Sequence, residues 1–235
     1  MKLDITEITH LHDDRLLPWL DLYETAFPPA ERMLVSFYLR MLREKPLGLW
    51  ADHHLLAAQQ EGHFVGLAHY VLIPEHHLAW LWMFAVMPEV RNRGVGTTFY
   101  GEIVGRLPVG TVAMLLEVER PDLASTEAER RLAERRIAFY RRQGARLLEG
   151  VHYVQSVGPH QLPLPMHVML HPLRPLDAEQ MFRYAQAVFG DAITQVGDTQ
   201  LATYSVSASG FSMGGAGSHT LQTPGSPSSS ALNAK

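Results

Sequence analysis

Between the apolar run ending at Val86 and the helix-like stretch opening near Gly94 lies RNRGVG, residues 91–96. Two glycines let a backbone turn tightly and come close to a ligand. The first amides of a following helix have no partner within it and carry the positive end of its dipole, so such a turn can cradle an anion. Arg91 and Arg93 add charge beside it, and a pyrophosphate suits that combination. Read alone, a Gly-x-Gly at a helix start serves equally well as a tight structural turn. A P-loop is excluded, because Thr97, Thr98 and Phe99 stand where Lys and Ser/Thr would be required. A dinucleotide fingerprint would need a third glycine at Phe99 and a βαβ unit early in the chain.

Acid–base candidates follow in TVAMLLEVER, residues 111–120, whose strand period puts Glu117 and Glu119 on one face with Leu115 and away from Leu116 and Val118. Either carboxylate can act as a base; the alternative is a strand-end acid paired with Arg120 or another arginine. Tyr140 shares a helix face with Ala133, Arg136 and Ile137, which reads as a core aromatic with a satisfied hydroxyl. The arginines of ERRLAERR, interleaved with Glu127, Glu129 and Glu134, read as a solvated, paired face. Histidines are frequent, but His53-His54 and His76-His77 are strand neighbours that point to opposite faces. His167 and His171 would lie roughly 13 Å apart along a strand, so no metal site is expected. His69 is a further candidate for proton transfer.

The elements that must position these groups can be read from periodicity and punctuation. Leu3–Thr9 reads as a strand, and residues 12–27 and 28–46 as two helices, the second opened by Pro28 and Pro29. Residues 49–60, 63–73 and 77–87 read as a meander of antiparallel strands. A helix from Gly94 to about Leu107 precedes the strand holding Glu117. Thr126 with Glu129 three residues on has capping-box form and opens a helix that stops at Gly144. Two strands, ARLLEGVHYVQ and PMHVMLHPL, lead to a helix near Ala178–Phe189. The expected organisation is a domain over 1–174, a helical extension over 175–204, and a Ser/Gly/Pro-rich tail over 205–235 read as disordered.

Composition removes several classes of function. With 20 basic and 24 acidic residues the formal charge is −4, leaving no basic excess for a nucleic-acid backbone. The absence of cysteine excludes a disulfide, a thiolate metal site and a thiol nucleophile. No Gly-x-Ser-x-Gly elbow suggests a serine route. The first residues, MKLDITEITHLHDD, lack the apolar run of a secretory signal, and no stretch approaches the roughly 18 apolar residues of a membrane span, so a cytoplasmic protein without membrane contact is expected.

Residues 84–97, FAVMPEVRNRGVGT, resemble motif A of the GNAT acetyltransferases, with Arg91, Gly94 and Gly96 at its signature positions. RRIAFYRRQGA resembles the second family segment, with Tyr140 and Gly144 in place. The resemblance covers roughly residues 1–172. It implies an α/β GNAT fold: a mixed, mostly antiparallel sheet with helices on both faces, splayed between the strands holding Ala85 and Glu117. It further implies that Phe84, Ala85 and Val86 pair with the pantetheine arm of acetyl-CoA, and that Asn92, Arg93, Gly94, Val95, Gly96 and Thr97 hold its pyrophosphate beside Arg91. Tyr140 would protonate the leaving thiolate and Glu117 would act as base, with Glu119 as runner-up. LYETAFPPAER resembles the family loop that closes over the acceptor, which makes Tyr23, Phe27, Glu31 and Arg32 acceptor candidates; a structural corner at Phe27-Pro28 is the alternative. Two departures are Ala145 in place of an aromatic and no asparagine at the start of the helix from Thr126.

The function so implied is acetyl transfer from acetyl-CoA, without a metal, to a small-molecule or peptide amine, and homodimerisation is compatible with the family. A non-catalytic acyl-CoA-binding regulatory module is the first rival, and an interaction protein using the C-terminal helix and tail the second.

Overall fold

Thr126 shows how local chemistry sets an element: its hydroxyl accepts from the Glu129 amide at 3.2 Å while the Glu129 carboxylate accepts from the Thr126 amide at 2.9 Å. This reciprocal cap starts α4, Glu127–Arg142, whose end is marked by Gly144 at φ 100°. In the computed structural model, residues 2–44, 52–155 and 162–201 are described. The expected tail at 205–235 lies outside them.

The order along the chain is β1 Asp4–Glu7, α1 Leu16–Ala26, α2 Val35–Glu44, β2 His53–Gln60, β3 His63–Ile73, β4 Leu78–Val86, α3 Val95–Arg106 and β5 Ala113–Glu119. After α4 come β6 Arg146–Gln155, β7 Leu164–Pro172, α5 Ala178–Phe189 and β8 Ile193–Leu201. The strands form one sheet in the order β1-β2-β3-β4-β5-β7-β6-β8. All pairs are antiparallel except β4–β5. The protein therefore has the mixed, mostly antiparallel α/β sheet of the GNAT fold, with helices on both faces.

One face of the sheet carries α3 and α4, whose Phe99, Tyr100, Ile103, Ile137 and Tyr140 pack on Leu81, Met114 and Leu116. The opposite face carries α1 and α2 at one end, where Trp19, Tyr23 and Tyr38 are fully buried. At the other end α5 sets Met181, Phe182 and Ala185 against Leu115, Val168 and Leu170. Among the described residues no helix is long and apolar enough to cross a membrane.

Two expectations are corrected. The single helix read over 28–46 is divided: a 3-10 turn at Pro29–Glu31 ends in extended backbone at Arg32, and α2 starts only at Val35. The break is held from below, because the buried Tyr23 hydroxyl donates to the Met33 carbonyl at 3.0 Å, a bond that a continuous helix would compete for. The second is β8, which was not anticipated and extends the sheet beyond β6.

Candidate active site

The sheet opens between its two parallel strands. Leu78–Leu81 of β4 pair with Ala113–Leu116 of β5, and the register stops there. The remainder of β4 keeps its partner on the other side, Met83 to Val86 lying opposite His69 to Gly66 of β3. One edge of Trp82–Val86 is thus without a strand partner, which is the splay expected from the family resemblance. Gly66 is needed for this arrangement: a Cβ there would stand 2.9 Å from the Ala85 carbonyl oxygen and 3.3 Å from the Phe99 ring, pushing β4 and α3 away.

Beyond β4 the chain turns through Pro88–Val90 and reaches α3 by way of two left-handed residues, Asn92 at φ 62° and Gly94 at φ 84°. Backbone curled in this way, followed by the free amides of a helix start, makes an anion-binding concavity. A cleft of about 470 Å³ lies against it. Phe84, Ala85, Val86, Arg91, Asn92, Gly94, Gly96 and Thr97 all line this cleft, and so does Tyr140. The Arg91 Nε also donates to the Val86 carbonyl at 3.3 Å. Val95 packs into the core instead, so only its backbone faces the turn. Arg93 lies against a separate surface groove with Lys2, Asp4 and Glu61.

Helix α4 supplies cleft residues that the sequence reading passed over. Arg130 and Arg131 pair with Glu127 on the exposed side, as the charge pattern suggested. Arg135, Arg136 and Arg142 instead line the cleft, with Phe139 between them. A guanidinium at several successive turns facing one groove is a ready complement to phosphates.

A smaller cavity of about 30 Å³ adjoins the cleft, with Phe27, Phe84, Arg136 and Tyr140 bordering both. Glu31, Glu117 and Glu119 all line the smaller one. Glu117 is gripped from two strands away: the Tyr153 hydroxyl on β6 donates to its Oε1, and the Gln155 amide donates to Oε2 at 3.3 Å. Burial pushes the Glu117 carboxyl up to about 7, against the opposing pull of Tyr153, Trp80 and Gln155. The Trp80 indole N–H lies near enough to act on the charge without meeting hydrogen-bond geometry. Phe189 of α5 packs on both Tyr153 and Trp80, with ring centroids 4.5 and 5.1 Å away, so the last helix braces this network.

Glu119 forms an ion pair with Arg136. Tyr140 is 6% exposed, and its hydroxyl makes no hydrogen bond to any described residue. Burial raises its phenol to about 12, with Arg136 pulling the other way, so it is protonated at neutral pH and able to donate.

Of the acceptor candidates, Phe27 and Glu31 reach the cavity, whereas Tyr23 is buried under α2 and Arg32 pairs with Glu24 away from it. His69 is fully buried between Tyr38 and His53, with ring nitrogens 3.3 and 2.8 Å from them, and does not border either cavity. Among the described residues no group of three or more His, Asp or Glu side chains is arranged to hold a metal ion.

A strand edge opened beside a glycine-rich helix start is the arrangement that the resemblance to the GNAT acetyltransferases implies. The chain belongs to the acetyltransferase (GNAT) family, whose model matches residues 16–145. A GNAT-family protein from Bacteroides thetaiotaomicron is similar in structure at a TM-score of 0.62 and 25% identity, over 80% of this chain and 98% of that one. Another from Desulfovibrio desulfuricans superposes at 0.52 with 18% identity, over 74% of this chain and 100% of that one. No curated protein matches the sequence.

Proposed function

We propose that the protein is an N-acetyltransferase that moves the acetyl group of acetyl-CoA to an amine by direct attack within a ternary complex. The observation that carries this reading is that the phosphate-suited cleft and the acidic cavity share a wall that includes Tyr140. The free edge of β4 at Phe84–Val86 would receive the pantetheine amides as an added strand, and the amides from Asn92 to Thr97 would receive the pyrophosphate. An alkylamine with a pKa near 10.4 is neutral in roughly one molecule in a thousand or fewer at pH 7, so a base is needed before attack. Glu117, held near neutrality, takes that proton directly or through a water. The amine nitrogen bonds to the carbonyl carbon, the C–S bond breaks, Tyr140 donates its proton to the departing sulfur, and the proton in excess on the nitrogen is lost to water, from which the tyrosinate is reprotonated. The products are an N-acetyl amide and free CoA.

The loop test uses Gly96, whose added Cβ would meet the Phe139 ring at an ordinary 3.5 Å, so the fold tolerates a side chain while the cleft does not. Gly96→Ile is expected to weaken acetyl-CoA binding, followed by calorimetric titration, by about tenfold or more. Undiminished affinity in a folded variant would remove the cofactor cleft from this position.

A second expectation concerns Tyr153. Its hydroxyl stabilises the ionised form of Glu117, so Tyr153→Phe raises the carboxyl pKa further and moves the acid limb of the kcat/KM profile to higher pH. Activity at high pH recovers, because the base is still present. A uniform loss at all pH values would instead mark Tyr153 as a packing residue only.

A further inference from the structure

We infer that the acceptor is a cationic amine free of acidic substituents, received by Glu31 in the smaller cavity. The inference rests on the acetyltransferase reading and narrows its substrate class. Glu31 comes from the turn between α1 and α2, is only 9% exposed, and lines the cavity that Glu117 and Glu119 also line. Its side chain makes no hydrogen bond or ion pair to any described residue. The other two acids differ in this respect, since Glu117 accepts from Tyr153 and Gln155 and Glu119 pairs with Arg136.

A buried carboxylate without a partner is costly, and the cost is relieved when a cation arrives. Glu31 has its carboxyl held above the usual carboxylate range by burial, with the Glu117 charge adding to this and Arg136 opposing it. Among the lining residues Arg136 is the one permanent cation set against three acids, and it is already engaged by Glu119. The other hydrogen-bond donors there, Tyr140 and Gln155 among them, are neutral, and a carboxylate close to the reacting nitrogen would meet like charge from Glu31 and Glu117. The rings of Phe27, Trp82 and Phe84 border the same space, and aromatic rings attract a desolvated ammonium. The cavity of about 30 Å³ is of the order of one ammonium or water, so it selects at the reacting end and leaves the rest of the acceptor to the open side.

The test compares 1,5-diaminopentane with lysine, which differ by one carboxylate, as acceptors for the full-length protein and for Glu31→Gln. Acetyl-CoA binding is measured in parallel by calorimetry. The diamine is expected to exceed lysine in kcat/KM by about tenfold or more, and Glu31→Gln to raise the diamine KM by about tenfold or more while narrowing that ratio. Equal or better use of lysine by the parent overturns the inference without reference to the variant, as does an unchanged ratio in Glu31→Gln. Acetyl-CoA binding with no acylation of either amine also overturns it and leaves the cofactor reading standing. Failure to bind acetyl-CoA would sink both.

Discussion

Tyr140→Phe is expected to lower kcat by about 10² to 10⁴ while leaving acetyl-CoA binding intact. The substitution removes one oxygen and leaves the ring, which packs against Tyr100 and Phe139 with centroids 5.7 and 5.3 Å away. The lost atom is a hydroxyl free of described partners on a residue that lines two cavities, an unusual state for a tyrosine that is 6% exposed. If it served packing alone, its loss would change stability and not turnover. Single-turnover rates with saturating acetyl-CoA separate the two, and a rate within a factor of about three of the parent would rule Tyr140 out as the acid.

Glu117→Gln is the second large effect, with kcat/KM at pH 7 falling by about 10² to 10⁴. The amide has the shape of the carboxylate and can still accept from Tyr153 through its oxygen, but it cannot take a proton. If Glu117 is the base, its working form in the parent is the ionised one, so activity is expected to rise with pH through the carboxyl pKa of about 7 and to be lost below it. The variant loses that limb as well as rate. Should the limb near pH 7 persist in Glu117→Gln, the base is another group; Glu119, on the same strand face but paired with Arg136, is then the next to test.

The parts of this site that were legible in the sequence are those set by local chemistry. Gly94 and Gly96 after an apolar run mark a turn and a helix start whatever surrounds them, and the cap at Thr126 is complete within four residues. Strand alternation put Glu117 and Glu119 on one face, and both border the same cavity. Tyr153 and Gln155 could not be found that way. They reach Glu117 because β6 lies beyond β7 in a sheet order that departs from chain order, and only the pairing of three strands brings them over it. Arg136 was misjudged for a related reason: its neighbours Arg130 and Arg131 do pair within the helix, and although helical spacing puts Arg136 on the Tyr140 face, nothing local shows that this face meets the splay. The strand β8, ITQVGDTQL, lacks alternation and contains Gly197 and Asp198, so its conformation comes from pairing with β6 and not from propensity.

The half-open β4 has a consequence for how the protein survives in a crowded solution. Past Leu81 the strand is an edge, and an unpaired edge is a template on which another chain can add itself and begin an aggregate. Here that edge is recessed: Thr25 to Phe27 stand over one side of the groove and the arginine-rich turns of α4 over the other. Side chains standing around the edge hinder a second folded protein from adding a strand there, and the guanidinium groups disfavour a basic segment. A single narrow chain with a phosphate end can enter. The same walls that admit the thioester thus keep an otherwise adhesive strand from meeting its own kind.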